Sequence, residues 1–187
     1  FIEDLPTDAL RAIFEANFFG WHDLTRRVLP AMRAQGGGRI VQCSSVLGFA
    51  PARWRGAYVA TKFALEGYTD TLRLEMRGLP IHVSLIEPGP IATRFNINAL
   101  AQFDRWIDVD NSARRDELDG IRARYARGDG PPNRFELPPS AVTAKLVHAL
   151  ESARPRDRYY VTTPTYLAAA LRRLAPRRAF DWVMARN

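Results

Sequence analysis

Ala57-Tyr58-Val59-Ala60-Thr61-Lys62-Phe63-Ala64-Leu65-Glu66-Gly67 is the stretch that decides how this chain is read. Apolar residues at Ala60, Phe63, Ala64, Leu65, Tyr68, Leu72 and Met76 carry it on as a helix from Ala57 to about Arg77. That helix is apolar over much of its girth, so it is buried on more than one side. Residues four apart share a helix face, which stands the Lys62 ammonium beside the Tyr58 hydroxyl and favours the ionised phenol. Lysine is scarce: of 27 basic residues, all but Lys62 and Lys145 are arginine. A compact ammonium sits close to a phenol more readily than a broad guanidinium does. The rival reading is a plain surface pair on a helix.

Upstream, Pro6-Thr7-Asp8 reads as a helix start, with Thr7 as N-cap and an acid in the first turn. Leu10, Ile13, Phe14, Phe18, Leu24, Val28 and Met32 then keep a helical period to Gly36-Gly37-Gly38. This predicts one long helix, bent near Asn17 and ended by the glycines as a C-cap. Arg39 to Ser44 reads as a short strand in which Cys43 is a buried thiol, and Gly48 to Gly56 as a loop. Downstream, His82 to Ile86 is a second strand, closed by Glu87-Pro88-Gly89-Pro90. Strand alternating with helix predicts a parallel sheet in a layered α/β fold. The region 94–139 breaks the alternation, as substrate-covering insertions do, with a helix expected from Ser112 to Arg127 and a stop at Gly128-Asp129-Gly130-Pro131-Pro132. A helix from Ser140 to about Ser152, a strand from Arg158 to Thr162 and a helical segment broken at Pro176 complete the pattern.

With 187 residues, 47% apolar and 25% charged, the composition is that of one globular domain with a real core. A formal charge of +7 raises nucleic acid or an anionic membrane as partners. The arginines are scattered, however, in pairs such as Arg26-Arg27 and Arg177-Arg178, and no nucleic-acid motif accompanies them, which favours a solvated face. One cysteine excludes an intrachain disulfide and a cysteine-based zinc site, and no metal site is expected. No apolar run approaches the roughly 20 residues that span a bilayer, so no membrane span and a cytoplasmic location are expected. Phe1-Ile2-Glu3-Asp4-Leu5-Pro6 opens like a loop inside a domain, which predicts that these residues are the later part of a longer protein.

Four segments follow one another in order: Glu15-Ala16-Asn17-Phe18-Phe19-Gly20, Val41-Gln42-Cys43-Ser44-Ser45-Val46-Leu47-Gly48, the stretch 57–67, and Glu87-Pro88-Gly89-Pro90-Ile91-Ala92-Thr93. Together they resemble the short-chain dehydrogenases/reductases of the classical type, strongly from about residue 5 to 95 and more thinly beyond. The resemblance implies an α/β fold, a partial Rossmann-like doubly wound parallel sheet. It implies a single incomplete domain over 1–187, with 94–139 as the substrate-loop insertion and 164–187 as the C-terminal helical segment. The implied activity is that of an NAD(P)-dependent oxidoreductase interconverting an alcohol and a ketone or aldehyde. In that scheme Tyr58 is the general acid/base, and Lys62 lowers its pKa and holds the nicotinamide ribose. Ser45 bonds the substrate oxygen, Ser44 being the neighbour that the spacing sets aside. Asn17 orders a water that joins Lys62 to solvent. Pro88, Gly89, Ile91 and Thr93 meet the cofactor, the glycine letting the backbone come close.

The family's Gly-rich turn, which seats a pyrophosphate on a helix N-terminus, has no counterpart here. The run Gly36-Gly37-Gly38 precedes a strand instead of following one. NADP is taken ahead of NAD, weak or no cofactor binding and little turnover by these residues alone are expected, and the strand 39–44 is expected to keep an exposed edge. Phe95, Ile97, Leu100, Phe103, Trp106 and Ile107 read either as an apolar lid or as core. As a lid they suit a lipophilic substrate such as a long-chain aldehyde, retinoid or ketosteroid, with Phe95 and Trp106 in contact. Two other classes remain open. One is a homo-oligomer or association module pairing through helices 7–35 and 57–77, with Leu72 at the contact. The other is a basic nucleic-acid or membrane-surface binder built on Leu167, Leu171, Leu174, Phe180 and Trp182.

Overall fold

Strand β1 (Gly38–Cys43) lies parallel to β2 (Ile81–Glu87), and β2 lies parallel to β3 (Arg158–Tyr160), in a computed structural model that describes residues 1–126 and 134–186. Ile40 stands opposite Val83, and Leu85 opposite Arg158. Parallel neighbours need a crossover. Helix α1 (Thr7–Phe14) and helix α2 (Gly20–Ala34) precede β1, helix α3 (Gly56–Glu75) carries the chain from β1 to β2, and three more helices lie between β2 and β3: α4 (Phe95–Trp106), α5 (Arg115–Ala126) and α6 (Ser140–Glu151). Helices α7 (Thr163–Leu174) and α8 (Arg177–Met184) follow β3.

Successive strand residues point to opposite faces, and the two faces carry separate cores. On one, Ile40, Ile81 and Val83 pack with Leu72 and Met76 of the α3 side and with Leu29 and Met32 of α2. On the other, Ile86, Tyr159 and Val161 pack with Ala149, Ala141 and Val142 of the α6 segment. Helices cover both faces, which is the doubly wound α/β arrangement. Among the described residues β1 has a strand on one side only.

The long first helix bends where the sequence suggests. Glu15–Phe19 forms a single π-helical turn between α1 and α2, and Asn17 sits at its centre. Such bulges kink a helix without breaking it. Gly36 ends α2 in the left-handed region at φ 85°, and a Cβ on Gly37 would come within 2.6 Å of the Pro80 carbonyl oxygen. The glycine run is therefore a C-cap that lets β1 start tight against β2.

Several expectations need correction. Thr7 is the first helical residue and not the N-cap: Pro6 holds the cap position with extended backbone, and no side chain caps the helix. Cys43 is exposed. Strand alternation turns Ile40 and Gln42 inward, where Gln42 donates to Thr25 Oγ1 at 3.1 Å, and sends Cys43 to the other side. Leu72 is buried in the α2/α3 core and so cannot be a contact between copies, whereas Leu24 and Leu74 are exposed on the same two helices. Strand β3 ends at Tyr160, because Thr162 already turns the chain into α7, with the Thr165 amide donating to its carbonyl at 3.0 Å. Phe180 is buried and Leu171 packs on its cluster, so the stripe Leu167, Leu171, Leu174, Phe180 and Trp182 is partly core.

The helix expected from Ser112 begins at Arg115, and its expected stop at 128–132 lies outside the described residues. After α4 and α5 the chain returns to its point of departure: Ile91 and Leu137 form a parallel bridge, with the Ala92 amide donating to the Leu137 carbonyl at 3.0 Å. The segment between them is thus pinned at its base. Among the described residues no helix is long and apolar enough to cross a membrane, and no group of His, Cys, Asp and Glu could hold a metal ion.

Candidate active site

Helix α3 turns Thr61, Lys62, Leu65, Glu66, Thr69 and Leu72 inward at spacings of three and four. Its first two turns meet the C-terminal ends of β1 and β2, the end of a parallel sheet where ligands bind. The Lys62 ammonium is 5% exposed and donates to the Cys43 carbonyl at 2.8 Å. It lies 4.6 Å from the centroid of the Trp21 ring and 5.6 Å from that of Tyr58. Burial pushes its pKa down, and Cys43 and Glu66 pull it back up.

Tyr58 is half-buried, its ring edge-to-face with Phe95 at 5.4 Å. Burial raises the phenol pKa, a hydrogen bond with Ser45 lowers it, Cys43 raises it and Arg55 lowers it, in falling order of weight. The expectation that Lys62 depresses this phenol is not met in the protein alone. Lys62 gives one donor to a backbone carbonyl, and desolvation of the phenol outweighs the hydrogen bond of Ser45 and the charge of Arg55.

Ser45 is buried with extended backbone and N-caps the short 3₁₀ turn Val46–Gly48, its Oγ accepting from the Leu47 amide at 3.1 Å. It also donates to the Pro88 carbonyl at 3.4 Å, so the hydroxyl joins the turn after β2 to Tyr58. The Ser44 hydroxyl is buried without a partner on the Glu66 side: a Cβ on Gly48 would meet Ser44 Oγ at 2.5 Å and Glu66 Oε1 at 2.8 Å. Asn17 donates from Nδ2 to Thr61 Oγ1 at 3.2 Å, and Thr61 donates to the Tyr58 carbonyl at 2.8 Å. The π-helical turn is thus tied to α3 one residue before Lys62.

In the turn after β2, the Pro88 carbonyl accepts from the Val46 amide at 2.8 Å. Gly89 is required by packing: an added Cβ would collide with Thr162 Oγ1 and lie 2.6 Å from Thr165 Oγ1. The glycine is thus needed for packing whatever else approaches its backbone. The Ile91 side chain packs on the α6-side core, and Thr93 is exposed and accepts from the Phe95 amide at 3.3 Å.

Beside Tyr58 opens a cavity of about 590 Å³, walled by Asn17, Phe95, Phe103, Trp106 and Ile107 among others. Ile97 and Leu100 do not line it, and Ile97 is exposed. The sequence reading missed Trp21 and Thr61, although Trp21 falls four residues after Asn17 on the same helical run. It also missed a buried ionic brace. Arg158 donates to Glu66 at 2.5 Å, to Glu87 at 2.6 Å and to Asp70 at 2.7 Å. Burial, then the charge of Glu66, push the Glu87 carboxyl up to about 8, with Arg158 pulling the other way.

The sequence profile described as short chain dehydrogenase matches residues 1–103. The uncharacterized oxidoreductase YbbO of Escherichia coli K12 is 45% identical over 171 residues, covering 91% of this chain and 57% of that protein. Human retinol dehydrogenase 8 is 41% identical over 101 residues, 54% of this chain and 32% of that protein. Among solved structures, the L-sorbose reductase of Gluconobacter frateurii complexed with NADPH and L-sorbose is 26% identical, with a TM-score of 0.62 over 86% of this chain and 59% of that one. The chain spans just over half the length of the YbbO protein that it matches.

Proposed function

This chain belongs to the short-chain dehydrogenase family of oxidoreductases, and from that premise we propose that it serves the interconversion of a lipophilic alcohol and its ketone or aldehyde, with Tyr58 as general acid/base. The observation that carries the reading is Tyr58 at the wall of a largely apolar cavity, with Ser45, which does not itself line that cavity, close enough to lower the phenol pKa. In reduction, Tyr58 gives its proton to the carbonyl oxygen while Ser45 bonds that oxygen as charge develops on it. In oxidation the same phenol takes the alcohol proton. Asn17, through Thr61, fixes the start of α3 and so the position of the phenol.

The donor set suits the nicotinamide-ribose end of a dinucleotide. An ammonium has three N–H donors, and Lys62 gives one to Cys43. Its remaining donors and the Tyr58 hydroxyl face the strand ends, where Lys62 would hold the ribose and the turn 88–93 would meet the ring. A bound nicotinamide supplies or takes the hydride. NADP is taken ahead of NAD, with the NADPH of the sorbose reductase in support. The pyrophosphate end has no glycine-rich seat among these residues.

Apolar walls at Phe95, Phe103, Trp106 and Ile107, and a relative named for retinol, support a lipophilic substrate. The pinned segment 94–139 is then the cover of that site. Replacing Tyr58 by Phe removes the proton donor and is expected to lower kcat/KM by about 10²–10⁴-fold in an NADPH oxidation assay. Activity within a few-fold of the parent would end the assignment, and a preference for small polar ketones over aliphatic aldehydes would end the lipophilic reading. Pairing of two copies through α2 and α3 would use exposed Leu24 and Leu74. Light scattering should then give half the mass for a Leu24→Asp, Leu74→Asp protein, and a parent that is already monomeric rules the pairing out.

A further inference from the structure

The cavity beside Tyr58 is apolar, yet the charge that it does carry is of one sign. Two guanidinium groups, Arg55 and Arg105, line it, and no Asp or Glu does. Arg105 belongs to an exposed turn of α4 and lies over the Trp106 ring. Arg55 differs. It is the residue that precedes α3, it is half-buried, and its guanidinium carbon is held 5.7 Å from the centroid of the Phe95 ring. Among the described residues no carboxylate or carbonyl pairs with its side chain. The neighbouring arginine behaves otherwise: Arg53 reaches Glu117 at 3.8 Å.

A guanidinium with five N–H donors, half out of water, held over an aromatic ring and without an acid, has its binding capacity unspent. Leaving it so costs free energy that a carboxylate from outside would recover. Arg55 and Tyr58 share the Phe95 ring, which lies 5.4 Å centroid to centroid from the phenol ring and 5.7 Å from the guanidinium carbon. An anion on Arg55 and an oxygen on Tyr58 would therefore flank one aromatic ring, a few carbon atoms apart.

We propose that Arg55 is a specificity-determining residue that binds a carboxylate on the substrate, so that the site takes lipophilic carbonyl compounds and alcohols carrying an anionic end. This rests on the reading of Tyr58 as the reacting end of the cavity. The apolar wall holds the chain, Arg55 fixes which end is which, and the oxygen to be protonated is delivered to Tyr58 and Ser45. A neutral lipid of the same length would fill the wall but leave the guanidinium unpaired.

Two measurements separate the binding residue from the reaction. In calorimetric titration, octanoate should bind about tenfold more tightly than octanol. That advantage should vanish in Arg55→Met and be partly kept in Arg55→Lys, with both variants checked for an unchanged thermal midpoint. Equal binding of acid and alcohol, or an advantage that survives Arg55→Met, overturns the proposal. In turnover with NADPH, octanal, the ω-oxo acid of the same chain length and its methyl ester are compared, and the acid should win through a lower KM. Tyr58-dependent turnover without preference for the acid removes Arg55 and leaves the reading of the site standing. Arg55-dependent binding of octanoate together with aldehyde turnover that Tyr58→Phe leaves unchanged supports the anion site and removes the reading of Tyr58.

Discussion

Two polar groupings lie one helical turn apart along α3, and they spend their hydrogen-bonding capacity in opposite ways. Around Tyr58 and Lys62 the partners are few: a serine hydroxyl, one backbone carbonyl and the faces of Trp21 and Phe95, with a cavity alongside. Around Glu66, Glu87 and Arg158 the charges answer one another, and Glu87 is fully buried. The first grouping keeps donors in hand for something that is not part of the chain. The second spends the Arg158 donors on bracing α3 against β2 and β3. One chain thus separates a site from a strut within four residues, and variants on either side should fail in different assays.

The largest effect on folding is expected on the strut. Arg158→Met takes the cation from Glu66 and the fully buried Glu87, while Asp70 keeps Arg73, and breaking a buried pair in this way costs about 3–5 kcal/mol. The thermal midpoint should fall by roughly 10 °C or more. Tyr58→Phe should leave the midpoint nearly unchanged while abolishing turnover. If Arg158→Met melts with the parent, the strut carries no stability and the contrast between the two groupings collapses.

The sequence announced the site better than the strut, for physical reasons. Tyr58, Lys62, Ser45 and the turn at Pro88 lie on local patterns: a helical period, a strand end, a Pro-Gly turn. Asn17 was legible through the resemblance of Glu15-Ala16-Asn17-Phe18-Phe19-Gly20 to the family's pattern. By contrast, Arg158 meets Glu66 and Glu87 across 92 and 71 residues, and nothing local distinguishes it from the other arginines. The Tyr58 pKa was misread because burial, its largest influence, is a tertiary property. Cys43 and Leu72 were misplaced because composition tells which residues are apolar and not which face of the element they take. The packing need at Gly89 was not legible, because the two threonine hydroxyls that stand where its side chain would be come from α7 and its lead-in, more than 70 residues on.

A smaller effect separates the groupings by pH. Glu66 Oε1 and Glu87 Oε2 are both buried without a hydrogen-bond partner, and a proton held by Glu87 is expected to be shared between them. The Glu87 carboxyl is raised from 4.5 to about 8 in the fold, so the folded chain holds a proton that the unfolded chain has released. Its contribution to stability is complete below about 4.5 and is lost as pH rises through about 8. The thermal midpoint should therefore fall between pH 5 and pH 9. Glu87→Gln, which keeps an N–H toward Glu66 and an oxygen toward Arg158, should flatten that fall and exceed the parent at pH 9. An identical slope in parent and variant would falsify the shared proton.

The smallest change tests whether the two groupings are mechanically joined. Gly89 lies between them: the residue before it offers its carbonyl to Ser45, and its own missing side chain faces Thr162 and Thr165, just past β3. A methyl group there has no room, and overpacking of this kind costs about 1–3 kcal/mol. Relief can come from a shift of Thr162 toward the α7 side or of the turn toward Ser45. Only the second disturbs the oxygen-binding hydroxyl. Gly89→Ala is expected to lower the thermal midpoint modestly and to lower kcat more than it raises KM, because the Pro88 carbonyl that orients Ser45 moves with the turn. A lower midpoint with unchanged kcat would mean that the clash is absorbed on the α7 side and that the site is insulated from the strut.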